Sequence, residues 1–237
     1  MGAFRWWTFG DLRKLACASR WALSTAREAL RLIRADISRG AALYPVVVRG
    51  ASPDLTPFPE GFTYATRPLL PAGRYADLAN GDHDVHVSNL AVSRRSAGWG
   101  LETRAPLAAG ARVCDYTGDL VGTPHEGPYV LTVREHAAKA SFTLRTAIDA
   151  RRRGGVARFA NHSCDPNMEV LTKRSRINQV PALALVTKRA VSANEELTFD
   201  YSAADSMAIE SLVEPSRTPC LCGAKNCRRW LPRHVTS

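Results

Sequence analysis

The chain has 237 residues, 45% of them hydrophobic and 23% charged, and a formal net charge of +10. These values fit one sizeable globular core with appendages. They exclude a membrane-spanning helix, because no apolar run approaches the ~20 residues a bilayer requires. The positive excess favours a polyanionic partner, with a merely solvated, arginine-rich surface as the competing reading; no membrane partner is expected. Six cysteines are present. Cys17 and Cys114 stand apart, and the other four have metal-site spacing, so no disulfide framework is expected and the compartment reads as reducing.

Residues 1–43 predict a basic amphipathic helix. Leu12, Leu15, Ser19, Leu23, Ala26, Leu30, Ile33 and Ile37 recur every three or four residues. Asp11 is placed to cap its start and Gly40 to stop it. The apolar stripe has three readings: it lies on the folded domain, it meets a partner helix, or it belongs to a cleaved organellar transit peptide. Asp11, Glu28 and Asp36 argue against the last. Met1-Gly2 is not a myristoylation signal, since Trp6 stands where Ser or Thr is needed.

Residues 44–89 are rich in Pro, Gly and Asp and read as loop-dominated, with short apolar pieces such as Tyr44–Val48. From Val92 onward, short strand-like runs alternate with turn signals; 110–116, 129–133, 182–186 and 196–199 are examples. Only a turn near Glu135–Lys139 interrupts this pattern with helical character. The expectation is a mostly β fold of small sheets behind an N-terminal helix. Residues 203–219 read as a polar linker into a cysteine-rich tail at 220–231.

The chemistry concentrates in a few short stretches. Cys220-x-Cys222-x4-Cys227 supplies three thiols, one short of a tetrahedral zinc site, and Cys164 is the obvious fourth. One zinc ion would stabilise a tail too short to build a core and tie it to the segment Arg158-Phe159-Ala160-Asn161-His162-Ser163-Cys164-Asp165-Pro166-Asn167. Free thiols are the alternative. Gly98-Trp99-Gly100-Leu101 is a side-chain-poor turn beside a large aromatic, where backbone can approach a ligand closely; taken alone it is a weak signal, and a plain β-turn is the leading reading. A solitary tyrosine such as Tyr116 or Tyr201 is ordinarily a core residue with its hydroxyl tied to backbone.

Taken in order, Gly98-Trp99-Gly100-Leu101, Tyr116-x-Gly118-Asp119, Ile148-Asp149-Ala150, Arg158–Asn167, Phe199-Asp200-Tyr201 and the cysteine tail resemble a SET-domain protein lysine methyltransferase with a post-SET zinc motif. The resemblance spans roughly residues 90–231, with the SET domain at 90–202 and the post-SET motif at 220–231. It implies the SET fold, small β-sheets with a pseudoknot, and S-adenosyl-L-methionine as cofactor. It implies that Asn161 contacts the amino-acid end of that cofactor and that His162 reaches adenine through its backbone, organising the site without titrating. Gly98, Trp99, Gly100, Tyr129, Arg158 and Phe159 fall at other cofactor positions, and Trp230 with Leu231 would cap the cofactor or the lysine channel. Tyr201 stands at the place of the catalytic tyrosine and Tyr116 at that of a second one lining the lysine channel. Phe199 sits where the family carries Phe or Tyr, and Phe, leaving space beside the amine, implies di- or trimethylation. Cys164, Cys220, Cys222 and Cys227 would hold one zinc. No Gly-x-Gly-x-x-Gly opens a βαβ unit, so a Rossmann-type methyltransferase is not expected.

Within the family the likeness is to the suppressor-of-variegation class, which acts on lysine 9 of histone H3, and most to its reduced, plant-type relatives. Tyr129–His136 and Leu144–Asp149 carry that likeness. Residues 44–89, with Pro45-Val46-Val47-Val48 and Gly61-Phe62-Thr63-Tyr64, resemble a degenerate pre-SET region. No cysteine occurs between 18 and 113, so the three-zinc cluster of a full pre-SET cannot form. Asp119 replaces the usual glutamate and Gly155 the usual asparagine. The implied partner is a histone tail, H3 foremost, in the nucleus on the chromosome. Nucleosomal DNA is a further expectation, through Arg151-Arg152-Arg153, Lys173-Arg174 and Arg176. The alternatives are a non-histone lysine methyltransferase, organellar if residues 1–40 are a transit peptide, and a non-catalytic chromatin-binding module.

Overall fold

The computed structural model describes residues 46–49, 58–66, 89–121, 128–136, 143–174, 181–202 and 218–232. The helix expected over 1–43 and most of the linker expected over 203–219 lie outside the described residues.

Two β-sheets carry the site. The larger runs in the order β1 (Val47–Val48), β3 (Leu90–Arg95), β4 (Gly98–Thr103), β12 (Glu196–Phe199), β10 (Met168–Arg174), β11 (Pro181–Thr187) and β5 (Arg112–Tyr116), with β9 (Asn161–His162) paired to β12. The smaller joins β2 (Thr63–Tyr64), β8 (Thr143–Gly154) and β6 (Gly118–Val121), and β7 (Val130–His136) pairs with β8. A 3-10 turn at Val156–Phe159 lies just before β9.

Patterning explains the layout. Pro-Ala-Leu-Ala-Leu-Val-Thr of β11 is apolar almost throughout and buried almost throughout, because it lies between β10 and β5 in the body of the sheet. Each of its fully buried leucines, Leu183 and Leu185, contributes about 1.5–3 kcal/mol. β12 alternates instead: Leu197 and Phe199 are buried, while Glu196 and Thr198 face the other way. That alternation sends Phe199 into the core beside Leu101, Met168 and Tyr116 and leaves Glu196 and Thr198 toward β9.

Late and early parts of the domain meet at β12. It pairs antiparallel with β4, Leu197 opposite Leu101, and parallel with β9, Thr198 opposite Asn161 and Phe199 opposite His162. Asn167 locks the arrangement. Its amide nitrogen donates to Glu196 O at 2.8 Å and Glu195 Oε1 at 3.0 Å, and its oxygen accepts from Thr198 N at 2.9 Å.

Of the turn expected near Glu135–Lys139, Glu135 and His136 are extended, pairing with Leu144 and Thr143, and Glu135 also meets Arg174 in an ion pair; 137–139 lie outside the described residues. The region read as loop-dominated provides β1 and β2, which extend one sheet each by parallel pairing.

Candidate active site

The site forms where β4, β9, β12, the 3-10 turn and the cysteine tail converge. A cavity of about 870 Å³ is lined by Gly98, Trp99, Tyr116, Tyr129, Arg158, Phe159, Asn161, His162, Phe199 and Tyr201, with Leu221, Cys222, Leu231 and Pro232 from the tail. Residues spread over 135 positions of sequence thus share one wall.

The hairpin β3–β4 turns at Gly98, whose φ of +112° favours glycine. Gly100 is needed for space. A Cβ there would lie 2.6 Å from Glu196 Oε1 and 2.5 Å from Arg95 Cγ. Its absence lets the Asn161 amide nitrogen donate to Trp99 O at 3.3 Å and to Glu196 Oε1 at 2.8 Å. The Arg94 guanidinium covers the Trp99 ring at 4.4 Å.

Arg158 is 5% exposed, and burial pulls its pKa down from the ordinary value. It stays charged, since arginine is not deprotonated in proteins. Its Nε donates to Ala150 O at 3.1 Å, and aromatic faces stabilise the rest: Tyr129 at 4.0 Å, Phe62 at 4.8 Å, Phe159 at 5.1 Å and Phe58 at 5.6 Å. A caged cation lining the cavity is a ready partner for an anionic group.

Tyr116 and Tyr201 line the same cavity. Tyr116 donates its hydroxyl to Tyr129 O at 2.9 Å, and Tyr201 donates to Ala160 O at 3.1 Å. Tyr129 holds its carbonyl there from the left-handed region, φ 64°. Burial raises both phenol pKa values well above the ordinary tyrosine value; Tyr201 further raises that of Tyr116, and Tyr129 that of Tyr201. Both hydroxyls are therefore neutral at any physiological pH. The rings of Phe199 and Tyr201 sit 4.9 Å apart.

His162 stands between Tyr201 and the cysteine cluster. The Tyr201 backbone N–H donates to its Nδ1 at 3.2 Å, so the ring proton of the neutral form resides on Nε2, which donates to Cys164 Sγ at 3.4 Å. Burial lowers the His162 pKa, Asp200 opposes this and Arg228 adds to it, and the ring stays neutral. Arg228 lies 3.4 Å from Nε2 but makes its ion pair with Asp200 at 2.7 Å.

Cys164, Cys220, Cys222 and Cys227 bring their Sγ atoms within 4.8 Å of one another. A tetrahedral thiolate site with ~2.3 Å bonds has sulfur–sulfur edges of about 3.8 Å, and Cys164 and Cys220 stand at 3.9 Å. Backbone N–H groups of Arg228 and Arg229 donate to Cys164 and Cys227 Sγ, each at 3.3 Å, as suits thiolates. Burial opposes ionisation of Cys220 and Cys222, yet neighbouring backbone donors and thiols bring Cys222 down to about 6, while Cys220 is pushed up to about 12. Metal binding to thiols displaces their protons. The cluster fits a metal ion.

The structure thus brings together Tyr201, Tyr116, Phe199, Gly98, Trp99, Tyr129, Arg158, Phe159, Asn161 and His162, with Gly100 directly behind them. It does not bring Trp230 to the cavity: the residue is 42% exposed and its backbone pairs with Pro219, while Leu221, Leu231 and Pro232 line the cavity from the tail. Sequence reasoning also passed over Glu196 and the Phe58–Phe62 pair. Alternation along β12 carried a signal for the former. Nothing in the sequence placed the phenylalanines against Arg158, because the contact joins distant segments.

The chain matches the SET domain family over residues 98–202. It is 34% identical over 165 residues to the mouse histone-lysine N-methyltransferase SETMAR, covering 62% of this chain and 53% of that protein. It is 33% identical over 158 residues to Su(var)3-9 of Drosophila pseudoobscura pseudoobscura (62% and 25%), and 33% over 137 residues to an H3 lysine-4 specific enzyme of Eremothecium gossypii (56% and 13%). The chain therefore spans about half the length of the mouse relative, and less of the others. The methyltransferase domain of human SETMAR superposes with a TM-score of 0.60 at 25% identity, covering 84% of this chain and 97% of that one. Arabidopsis thaliana SUVH6, solved with SAM, shares the fold with a TM-score of 0.61 at 19% identity, covering 83% and 55%.

Proposed function

We propose that this protein is an S-adenosylmethionine-dependent protein-lysine N-methyltransferase acting on a histone tail, H3 foremost. One observation carries the reading: a single cavity is lined by a buried cation, an oriented amide and two neutral tyrosines, with Phe199 packed against Tyr201. The matched relatives bear histone-lysine N-methyltransferase names. S-adenosylmethionine would supply a methyl group on a positive sulfonium.

The residues divide the work. Arg158 would meet the cofactor carboxylate, Asn161 its ammonium, and Trp99 with Gly98 and Gly100 the space between. A lysine ε-amine has a reference pKa near 10.4 and arrives protonated. Neither tyrosine takes its proton, since burial keeps both phenols neutral. Their part is to wall the channel, exclude water and align the deprotonated amine. Tyr201 is assigned the principal role and Tyr116 the second. Phe199 adds no hydroxyl, and the neighbouring hydroxyls are engaged by Tyr129 O and Ala160 O. Room beside the amine therefore favours di- or trimethylation.

The four cysteines would hold one zinc, which keeps Leu221, Leu231 and Pro232 on the cavity. Lysine 9 is the target that class resemblance supports; relatives named for lysine 4 stand close by in similarity. A nuclear, chromosomal location follows from a histone substrate. DNA contact through the basic surface has less support. Arg151 pairs with Asp149, Arg153 with Asp119 and Arg174 with Glu135, so phosphate would have to displace carboxylates.

Labelled S-adenosylmethionine with H3 tail peptides, each carrying one lysine-to-arginine change, tests the proposal. Transfer that one such change abolishes supports it and names the lysine. Transfer to other proteins but to no histone peptide would make the enzyme a non-histone methyltransferase. Cofactor binding without transfer to anything would leave a binding module.

A further inference from the structure

Asn161 can face the cavity with either end of its amide, and the two ends select opposite ligands. Its nitrogen lies 3.3 Å from Trp99 O and 2.8 Å from Glu196 Oε1. Both partners are acceptors, a carbonyl and a carboxylate, so both amide hydrogens are committed and the orientation is fixed by chemistry. The amide oxygen has no partner among the described residues, and Asn161 lines the cavity. It is left as a bare acceptor.

We propose that Glu196 is a positioning residue: its carboxylate holds the Asn161 amide with the oxygen turned to the cavity, so that this end selects a ligand bearing a positively charged nitrogen.

Three features of the fold build this device. Asn161 stands opposite Thr198 in the parallel β9–β12 pair, and Glu196, two residues before Thr198, shares that face of β12. The carboxylate thus arrives one step along the strand from the amide. Gly100 on β4 leaves the gap between them, since a Cβ there would lie 2.6 Å from Glu196 Oε1 and 3.1 Å from Asn161 Nδ2. Glu196 itself does not line the cavity, so it acts on the ligand only through Asn161. Turning the amide over would set its oxygen against the carboxylate and the Trp99 carbonyl at once, and would lose both hydrogen bonds. Without the carboxylate, the Trp99 carbonyl alone opposes the turn, and the amide could offer a hydrogen to the ligand instead.

The inference rests on the cavity being the S-adenosylmethionine site. Its test is calorimetric titration of the full chain with S-adenosylhomocysteine and with the analogue lacking the α-amino group. Wild type should prefer the amine-bearing ligand by tenfold or more. Glu196→Ala should weaken S-adenosylhomocysteine by about tenfold and leave the deaminated analogue unchanged, so that the preference collapses. Glu196→Gln, whose amide oxygen can still accept from Asn161, should retain most of the preference. A preference intact in Glu196→Ala, or an equal loss for both ligands in both variants, would overturn the proposal. Wild type that binds neither ligand would overturn the proposed function together with this inference, and that failure is distinct because it needs no variant.

Discussion

Removing metal from the four-cysteine cluster should free the tail and open the cavity while leaving the sheets folded. The tail from Thr218 to Leu231 has little core of its own. Its internal order comes from the Pro219–Trp230 bridge and three backbone hydrogen bonds, Cys220 N to Arg229 O, Cys227 N to Ala224 O and Leu231 N to Thr218 O. Its polar ties to the body include Arg228–Asp200, with Arg228 45% exposed, and the Asn226 amide to Cys164 O at 3.3 Å. An exposed ion pair gives about 0–1 kcal/mol, and a hydrogen bond about 0.5–1.5 kcal/mol. These ties amount to a few kcal/mol. Ordering about fourteen residues costs roughly 1–2 kcal/mol each, several times more. Structural zinc contributes about 10–16 kcal/mol in small sites, which is the missing magnitude. Hydrogen exchange followed by mass spectrometry, with and without chelator, reads this directly. Amides of 218–231 should exchange as an unfolded chain in the chelated protein, while those of β10 and β11 stay protected. Affinity for S-adenosylhomocysteine should fall by tenfold or more, because Leu221 and Leu231 leave the wall. Tail protection that survives chelation, with no metal detected by elemental analysis, would refute the reasoning.

Tyr201→Phe keeps the ring against His162 and Phe199 but removes the hydroxyl; turnover should fall by ~10²–10³, with S-adenosylhomocysteine affinity nearly unchanged by calorimetry. Phe199→Tyr should shift long-time products toward monomethyl-lysine in peptide mass spectrometry, because the new hydroxyl brings water into the space a second methyl needs. With saturating cofactor, the rate on a peptide should climb up to tenfold per pH unit toward the lysine reference value near 10.4. A raised phenol pKa keeps the neutral form to higher pH, so no falling limb should appear at the ordinary tyrosine value of about 10 while the protein stays folded; a decline there would show that one tyrosine ionises normally.

Much of the site was legible because its chemistry is local. Asn161, His162 and Cys164 fall within four residues, and Cys220, Cys222 and Cys227 within eight, so spacing alone suggested a ligand set. The strands β5, β11 and β12 followed from short apolar runs between turn signals. What escaped depends on register between distant segments. β8 is 12 residues long but carries Asp149 and three successive arginines; its strand character comes from pairing with β6 and β7 up to Asp149 and with β2 at Arg153 and Gly154. Glu196 gained a role only once β12 lay beside β9. Trp230, the more conspicuous residue in sequence, turned outward, and the smaller Leu231 beside it faced the cavity.

The central claim is methyl transfer to lysine from this cavity. It is tested most directly by incubating the zinc-replete protein with histone H3 and a donor carrying a deuterated methyl group. Mass spectrometry should find the label on a lysine ε-nitrogen, with one S-adenosylhomocysteine released per methyl, and almost none with Tyr201→Phe. Wild type that binds S-adenosylhomocysteine and zinc yet labels no lysine in histones, octamers or an unbiased peptide set would contradict it.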